Sequence, residues 1–328
     1  MVSQDFTDGT AYADAGGDVG YVTGGIRAAY QALGDAPEVG VPLDLQTCGK
    51  GGRECVQHLS AGLVLWSKQD GARVVPADRT VRLKGAPNFR DLAGEGAGLP
   101  LADGAHLRRG VVYRADALDG LTRADILALT ALGVTAVYDL RTPRVASRFP
   151  DPAIPGATNR LMNLFGRATG PFSAPTTLAG VTRQARDTNR LFVTDPVMRR
   201  QLRELLEAVA NSEGAVLIHC TEGKDRTGWA SAMLQYLAGA GDDEVLAEYL
   251  KSNAYREKAV AAAAAEVRRS KGAQAAAVYA SARRVDASYL RAGLAEARAR
   301  YGSISRYLSQ GVGLSDSTID ALRAKLRG

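Results

Sequence analysis

The stretch that most constrains what this chain can fold into is Ala215–Trp229. It opens with Ala215-Val216-Leu217-Ile218, a short apolar run with β-branched members, which predicts a buried strand. A tight turn follows at Gly223. From Trp229 through Ala232, Met233, Tyr236 and Leu237 to Gly239 the apolar residues recur at helical spacing, which predicts a packed helix. A strand that runs through a tight loop into a helix belongs to α/β sheets, and its loop is an anion site. The first amides of the helix have no partners within it, and the helix dipole places positive potential at the same end.

The loop's side chains suit that field. Arg226 offers a planar fork that fits two oxygens of a phosphate. Cys220 lies six positions earlier, where the loop begins. Amide dipoles and a guanidinium favour its thiolate form, and a thiolate beside a bound phosphate is a nucleophile aimed at phosphorus. Thr221, Glu222, Gly223 and Lys224 form the loop wall and are candidate substrate contacts, with Lys224 supplying a second cation for multiply charged substrates. Thr227 is placed to donate a hydrogen bond to a departing thiolate, and His219 to orient the loop.

The decapeptide His219–Gly228 resembles the phosphate loop of the cysteine-dependent tyrosine phosphatase superfamily. Its Lys224-Asp225-Arg226 segment is similar to the bacterial branch that includes secreted mycobacterial tyrosine phosphatases and related dual- or lipid-specific enzymes. Gly85–Gly94, with Asn88-Phe89-Arg90-Asp91-Leu92 inside it, resembles the signature that opens this branch. Asp139-Leu140-Arg141 matches its Asp-Leu-Arg motif, and Tyr289-Leu290 and Tyr301-Gly302-Ser303 match its C-terminal region, so the resemblance spans residues 83–328.

The resemblance implies an α/β fold with a mostly parallel central sheet flanked by helices. It implies hydrolysis of phosphotyrosine, with phosphoserine, phosphothreonine and phosphoinositides as further substrates, through a phosphocysteine and without metal or cofactor. It also puts the proton donor within the loop, at Asp225, with Asp139 and Asp195 as alternatives. Asp139 ends the predicted strand Val134–Arg141, and ligand groups collect at C-terminal strand ends in open α/β sheets. It therefore either borders the site or pairs with Arg141. Asn88, Arg90, Asp91 and Arg141 are read as supports, Arg90 and Asp91 as an ion pair with each other. Two other readings stay open: an inositol polyphosphate phosphatase, and a non-catalytic reader of phosphorylated ligands.

Residues 1–18 are polar and rich in Gly and Asp, and are expected to form a flexible tail. They carry Asp5, Asp8, Asp14 and Asp18 with no apolar segment, so no signal peptide is visible. Residues 19–82 read as a small α+β module, with a short helix from Thr23 to Gly34, a hairpin, and extended runs at Gly62–Ser67 and Gly71–Val75. The positions Ile26, Tyr30, Leu33-Gly34, Val39-Gly40-Val41-Pro42, His58, Gly62, Leu65-Trp66-Ser67 and Gly71-Ala72 resemble an LGFP repeat, a module of actinobacterial cell-envelope proteins. That likeness implies cell-wall association and a secreted or envelope location; without it the chain reads as cytoplasmic. Cys48 and Cys55 flank a Gly-rich turn, and on facing arms they would lie at disulfide distance, with two free thiols as the alternative. A disulfide would mark an oxidising compartment. Tyr30 and Trp66 read as core or as a ligand surface.

Elsewhere Thr122 is expected to cap a helix running to Gly133, and Pro196–Val209 to form another. The Pro- and Gly-bearing residues 150–190 read as long irregular structure over the site. The chain is expected to be helical from Gly241 onward. Residues 256–284, rich in Ala, Arg and Lys, read as a helical lid or an ordinary surface helix. No apolar run reaches the ~18 residues of a membrane span, and no basic stripe interleaved with aromatics points to nucleic acid. The net charge of +6 suits an anionic substrate or a solubilising balance.

Overall fold

A computed structural model describes residues 2–32, 40–167 and 173–328. The expected helix end at Gly34, the motif residues Leu33 and Val39, and the loop residues Gly170 and Pro171 lie outside that set. The chain divides into two compact units: Met1–Gly85 with Leu121–Val134 and Ala153–Ala157, and the remainder.

The first unit opens with β1 (Val2–Asp5), β2 (Gly9–Ala13) and β3 (Val19–Thr23), an antiparallel meander in the order β1-β2-β3. The tail expected over residues 1–18 is thus a correction. Thr10 and Tyr12 alternate inward at the period of a strand and are fully buried. Asp5 ends β1, and Asp8, Asp14 and Asp18 fall between strands, where Asp14 accepts from the amides of Gly16 and Asp18.

Next come α1 (Gly24–Ala32), then β4 (Thr47–Cys48), β5 (Glu54–Leu59), β6 (Gly62–Ser67) and β7 (Gly71–Pro76), an antiparallel sheet in chain order. Cys48 stands directly opposite Cys55 across the hairpin, and the two form a disulfide. Tyr30 is fully buried, packs edge-on against Tyr12 and donates to the Gly40 carbonyl, so it is core rather than ligand surface. α2 (Arg123–Ala131) packs on β5. It begins with the expected Thr122 cap, closed reciprocally by Asp125.

The second unit holds a five-stranded sheet. Its strands are β8 (Arg90–Asp91), β9 (Val112–Ala115), β10 (Val134–Asp139), β11 (Thr158–Leu161) and β12 (Ala215–His219), ordered β11-β10-β12-β9-β8. β10–β11 and β9–β12 pair in parallel, and β8 is an antiparallel edge. All five residues of β12 are buried, as its unbroken apolar run requires of a central strand.

The helices are α3 (Pro143–Arg148), α4 (Leu178–Thr194), α5 (Pro196–Asn211), α6 (Arg226–Ala238), α7 (Asp242–Ala282), α8 (Ala287–Tyr301), α9 (Ile304–Arg306), which continues as a π-helical turn, and α10 (Asp316–Leu326). α5 has the expected start, with Pro196 in its first turn and Asp195 accepting from the amides of Val197 and Met198. α4 is a second correction, because it occupies sequence read as irregular. Its buried face mixes Val181, Phe192 and Val193 with Thr188 and Asn189, whose side chains bond back to carbonyls of their own helix. That mixture hides the helical period.

α7 is two helices broken at Gly272, where φ is 87° and ψ is 173°. The halves lie back to back. Asn253 and Val285 exchange two hydrogen bonds, at 2.9 and 2.8 Å, and Arg256 donates to the Arg283 carbonyl at 2.9 Å. The Ala-rich segment is therefore an antiparallel helical hairpin with an exposed tip.

Candidate active site

The parallel register of β12 on β9 sets His219 beside Ala115 and delivers Cys220 to the C-terminal edge of the sheet. Cys220 is buried, and the Gly223 amide donates to its sulfur at 3.3 Å. Gly223 is required twice over. Its φ is +64°, and a Cβ there would stand 2.5 Å from the Ala115 carbonyl oxygen.

The loop is held by its carbonyls. Asn88 Nδ2 donates to Glu222 O at 3.0 Å and to Gly223 O at 3.1 Å, and Arg114 Nη2 donates to Gly223 O at 2.6 Å. In a trans peptide the N–H points opposite to the C=O. Pulling these carbonyls outward therefore turns the amides of Gly223 and Lys224 inward, toward the sulfur and whatever anion the loop encloses.

A buried network behind the loop fixes those donors. Glu248 of α7 takes Arg90 Nε at 2.5 Å and Arg114 Nη1 at 2.6 Å. Arg90 Nη1 also donates to Asn88 Oδ1 at 2.6 Å, which settles which end of the Asn88 amide faces the loop. Burial and the neighbouring Arg90 charge bring Arg114 down to about 10. Burial alone would raise Glu248, but the guanidiniums of Arg114 and Arg90 outweigh it and hold the carboxyl below its usual range.

Arg90 and Asp91 do not pair with each other, contrary to expectation. Neighbours on a strand point to opposite faces. Arg90 turns to Glu248, while Asp91 accepts from the amides of Ala93 and Gly110. Burial raises Asp91 to about 6.

Asp139 resolves to the structural alternative. It is buried, and its two oxygens accept from Arg141 Nε and Nη2, both at 2.8 Å, so the substrate contact assigned to it is replaced by a strand-end ion pair. Arg141 also reaches Asp151 at 2.9 Å, and Asp151 stands 3.0 Å from His219 Nε2. His219 faces that carboxylate at ion-pair distance, a neighbour that sequence reasoning missed. Burial would raise Asp151, but the His219 contact and the Arg141 charge lower it. Asp139, Asp151 and His219 gather three possible metal-ligating atoms within 4.8 Å of one another. The Arg141 guanidinium already supplies the cation between the two carboxylates. Asp195, the other alternative proton donor, caps α5 and pairs with Arg167.

At the loop's far end Arg226 donates to Leu140 O at 3.1 Å and to Thr221 Oγ1 at 3.3 Å. Lys224 Nζ grips both oxygens of Asp225, at 3.1 and 2.9 Å. Thr227 is fully buried, and its hydroxyl has no hydrogen-bond partner among the described residues. Glu222 is not turned to a substrate. Its carboxylate is held by Arg256 and by Arg283 Nε, the latter at 3.0 Å, both from the helical hairpin. Arg256 Nε also stands 3.7 Å from Asp116, which accepts from the backbone N–H of Asn88 and which burial raises to about 6.

The structure thus brings Cys220, Thr221, Gly223, Lys224, Asp225, Arg226 and Thr227 into one loop, with Asn88, Arg90, His219 and Arg141 behind it. Sequence reasoning missed Arg114, Asp116, Asp151, Glu248, Arg256 and Arg283. Two of these carry a readable signal: Arg114 is a charge inside the apolar run Val111–Ala115, and Glu248 lies on the buried face of α7 with Val245, Tyr249 and Ser252.

A buried thiol that accepts from a loop amide, with an arginine at the start of the following helix, is the arrangement of the cysteine-dependent phosphatase class. The sequence profile of the tyrosine phosphatase family matches residues 81–328, and the chain belongs to that family. It is 33% identical over 226 residues to a Cupriavidus necator protein assigned by name to the tyrosine-protein phosphatases, covering 67% of this chain and 80% of that one. It is 28% identical over 281 residues to the triple specificity protein phosphatase PtpB of Mycobacterium tuberculosis, covering 75% and 98%. A tyrosine-protein phosphatase of Nostoc commune is 30% identical over 198 residues, covering 52% and 62%.

Proposed function

We propose that this protein hydrolyses phosphate monoesters, phosphotyrosine first, with phosphoserine, phosphothreonine and phosphoinositides also accepted. The observation that carries the reading is the Gly223 amide on the Cys220 sulfur, inside a loop whose Glu222 and Gly223 carbonyls are drawn outward. In the first step the Cys220 thiolate attacks phosphorus. The S–P bond forms, the P–O bond to the leaving group breaks, and Asp225 gives that oxygen its proton. The loop amides and Arg226 hold the three equatorial oxygens, where charge must be stabilised. In the second step water attacks phosphorus, its proton passes to Asp225, and the S–P bond breaks. Thr227, with its free hydroxyl, donates to the returning thiolate.

Lys224 has a part in this cycle. A phosphate dianion entering the loop competes with Asp225 for the Lys224 ammonium, which frees the carboxyl to turn toward the leaving-group oxygen. Cys220→Ser tests the reading: it should abolish phosphate release from phosphotyrosine peptides while a non-hydrolysable phosphonate analogue still binds. Turnover in that variant would refute it.

The setting proposed is an oxidising compartment, with residues 19–82 acting as an LGFP-like wall-associating module and the helical hairpin serving as a lid. The Cys48–Cys55 disulfide supports the first part. No described helix is long and apolar enough to cross a membrane. Alkylation of the protein from its native source, with and without reductant, tests the disulfide directly.

A further inference from the structure

The Cys220 loop leaves one contact of its arginine unexplained. Arg226 Cζ lies 4.9 Å from the centre of the Phe165 ring. Phe165 sits just beyond β11, in a turn pinned by its own amide donating to Asn163 Oδ1 at 3.2 Å. The ring does not stand alone. It stacks on Phe192 at 6.3 Å and 10°, Phe192 stacks on Trp229 at 5.6 Å and 17°, and Trp229 meets Tyr307 edge-on at 6.0 Å. Tyr307 closes the ladder by donating to the Phe192 carbonyl at 2.9 Å. Trp229 lies one turn after Arg226 on α6, so the ladder that starts at the guanidinium returns to the helix that carries it.

We propose that Phe165 is a positioning residue for the reaction, its ring face holding the Arg226 guanidinium in the plane that receives two phosphate oxygens. The proposal rests on the reading of the Cys220 loop as a phosphatase site. A guanidinium has five N–H donors, and Leu140 O and Thr221 Oγ1 take two of them. Those two bonds leave the group free to rock about the line joining them. A ring face 4.9 Å away opposes that rocking without using a donor, because the attraction is between the cation and the ring quadrupole. The remaining donors stay available for substrate. Only an aromatic side chain supplies this: an aliphatic one has no quadrupole, and a carboxylate would neutralise the arginine.

The test is a series at position 165 in the full chain: Phe, then mono-, tri- and pentafluorophenylalanine, then Phe165→Leu. Fluorination drains the ring face with little change of shape. Stepwise loss of kcat/KM for a phosphotyrosine peptide is expected, with a parallel rise in the inhibition constant of inorganic phosphate, reaching about 3- to 30-fold at the pentafluoro end. Thermal midpoints of the fluorinated proteins should stay level, which separates positioning from packing. A flat series would overturn the proposal, whatever Phe165→Leu does to folding. An inactive unsubstituted protein would instead count against the phosphatase reading, so the two failures are distinguishable.

Discussion

Replacing Glu248 by Gln should damage the fold and the loop together. Among the described residues, Glu248 is the single carboxylate between the buried guanidiniums of Arg90 and Arg114. Removing one member of a buried ion pair leaves an uncompensated charge and costs about 3–5 kcal/mol. Gln keeps one acceptor oxygen, so the lower end applies, about 3 kcal/mol. For a unit of this size each kcal/mol moves the midpoint by about 2–4 °C, which predicts a fall of about 6–12 °C. The chain has two tryptophans, Trp66 in the first unit and a fully buried Trp229 in the second. Fluorescence in a Trp66→Phe background therefore reports the second unit alone. Arg114 also holds Gly223 O, so the loop loosens and kcat/KM should drop by about 10- to 100-fold, below the ~10²–10³ of deleting an oxyanion donor outright. A midpoint shift under 2 °C with unchanged kcat/KM would refute the claim that this network carries the loop.

Gly223→Ala should cost at least two orders of magnitude in kcat/KM, because its Cβ would meet the Ala115 carbonyl and its φ is left-handed; activity within threefold of the parent would contradict the loop geometry. Asp116 is raised from 3.8 to about 6, so its folded form binds the proton more tightly than its unfolded form. The stability it contributes is full below pH ~4 and is lost as pH rises through ~6, up to about 3 kcal/mol by pH 7. Asp116→Asn should flatten that part of the profile in thermal scans from pH 4 to 7, and an unchanged slope would exclude Asp116 as its source. Reducing the Cys48–Cys55 disulfide should lower first-unit stability, read at Trp66, by about 2–3 kcal/mol, and no change on reduction would be the contrary result.

What the sequence made legible was local. β12, the Gly223 turn and α6 follow from one apolar run, one glycine and one helical period, and the loop chemistry comes with them. The hairpin that brings Cys48 to Cys55 was readable for the same reason. The supports were not, because they join residues far apart in the chain. Nothing near Arg90 says that its partner is Glu248 rather than Asp91; only the sheet's facing rule and the placement of α7 decide it. Glu222 read as a ligand contact because it lies in the loop, yet two arginines of a helical hairpin claim it. The aspartates of residues 1–18 suggested disorder because turn residues and disorder share a composition, and the inward Thr10 and Tyr12 are too few to show a period.

The most direct measurement of the central claim is a rapid-quench experiment with a phosphotyrosine substrate, followed by mass spectrometry of the peptide that contains Cys220. The account predicts that peptide to carry one phosphoryl group during turnover, and to carry none in Cys220→Ser. Phosphate release with no phosphoryl group ever found on Cys220 would contradict it.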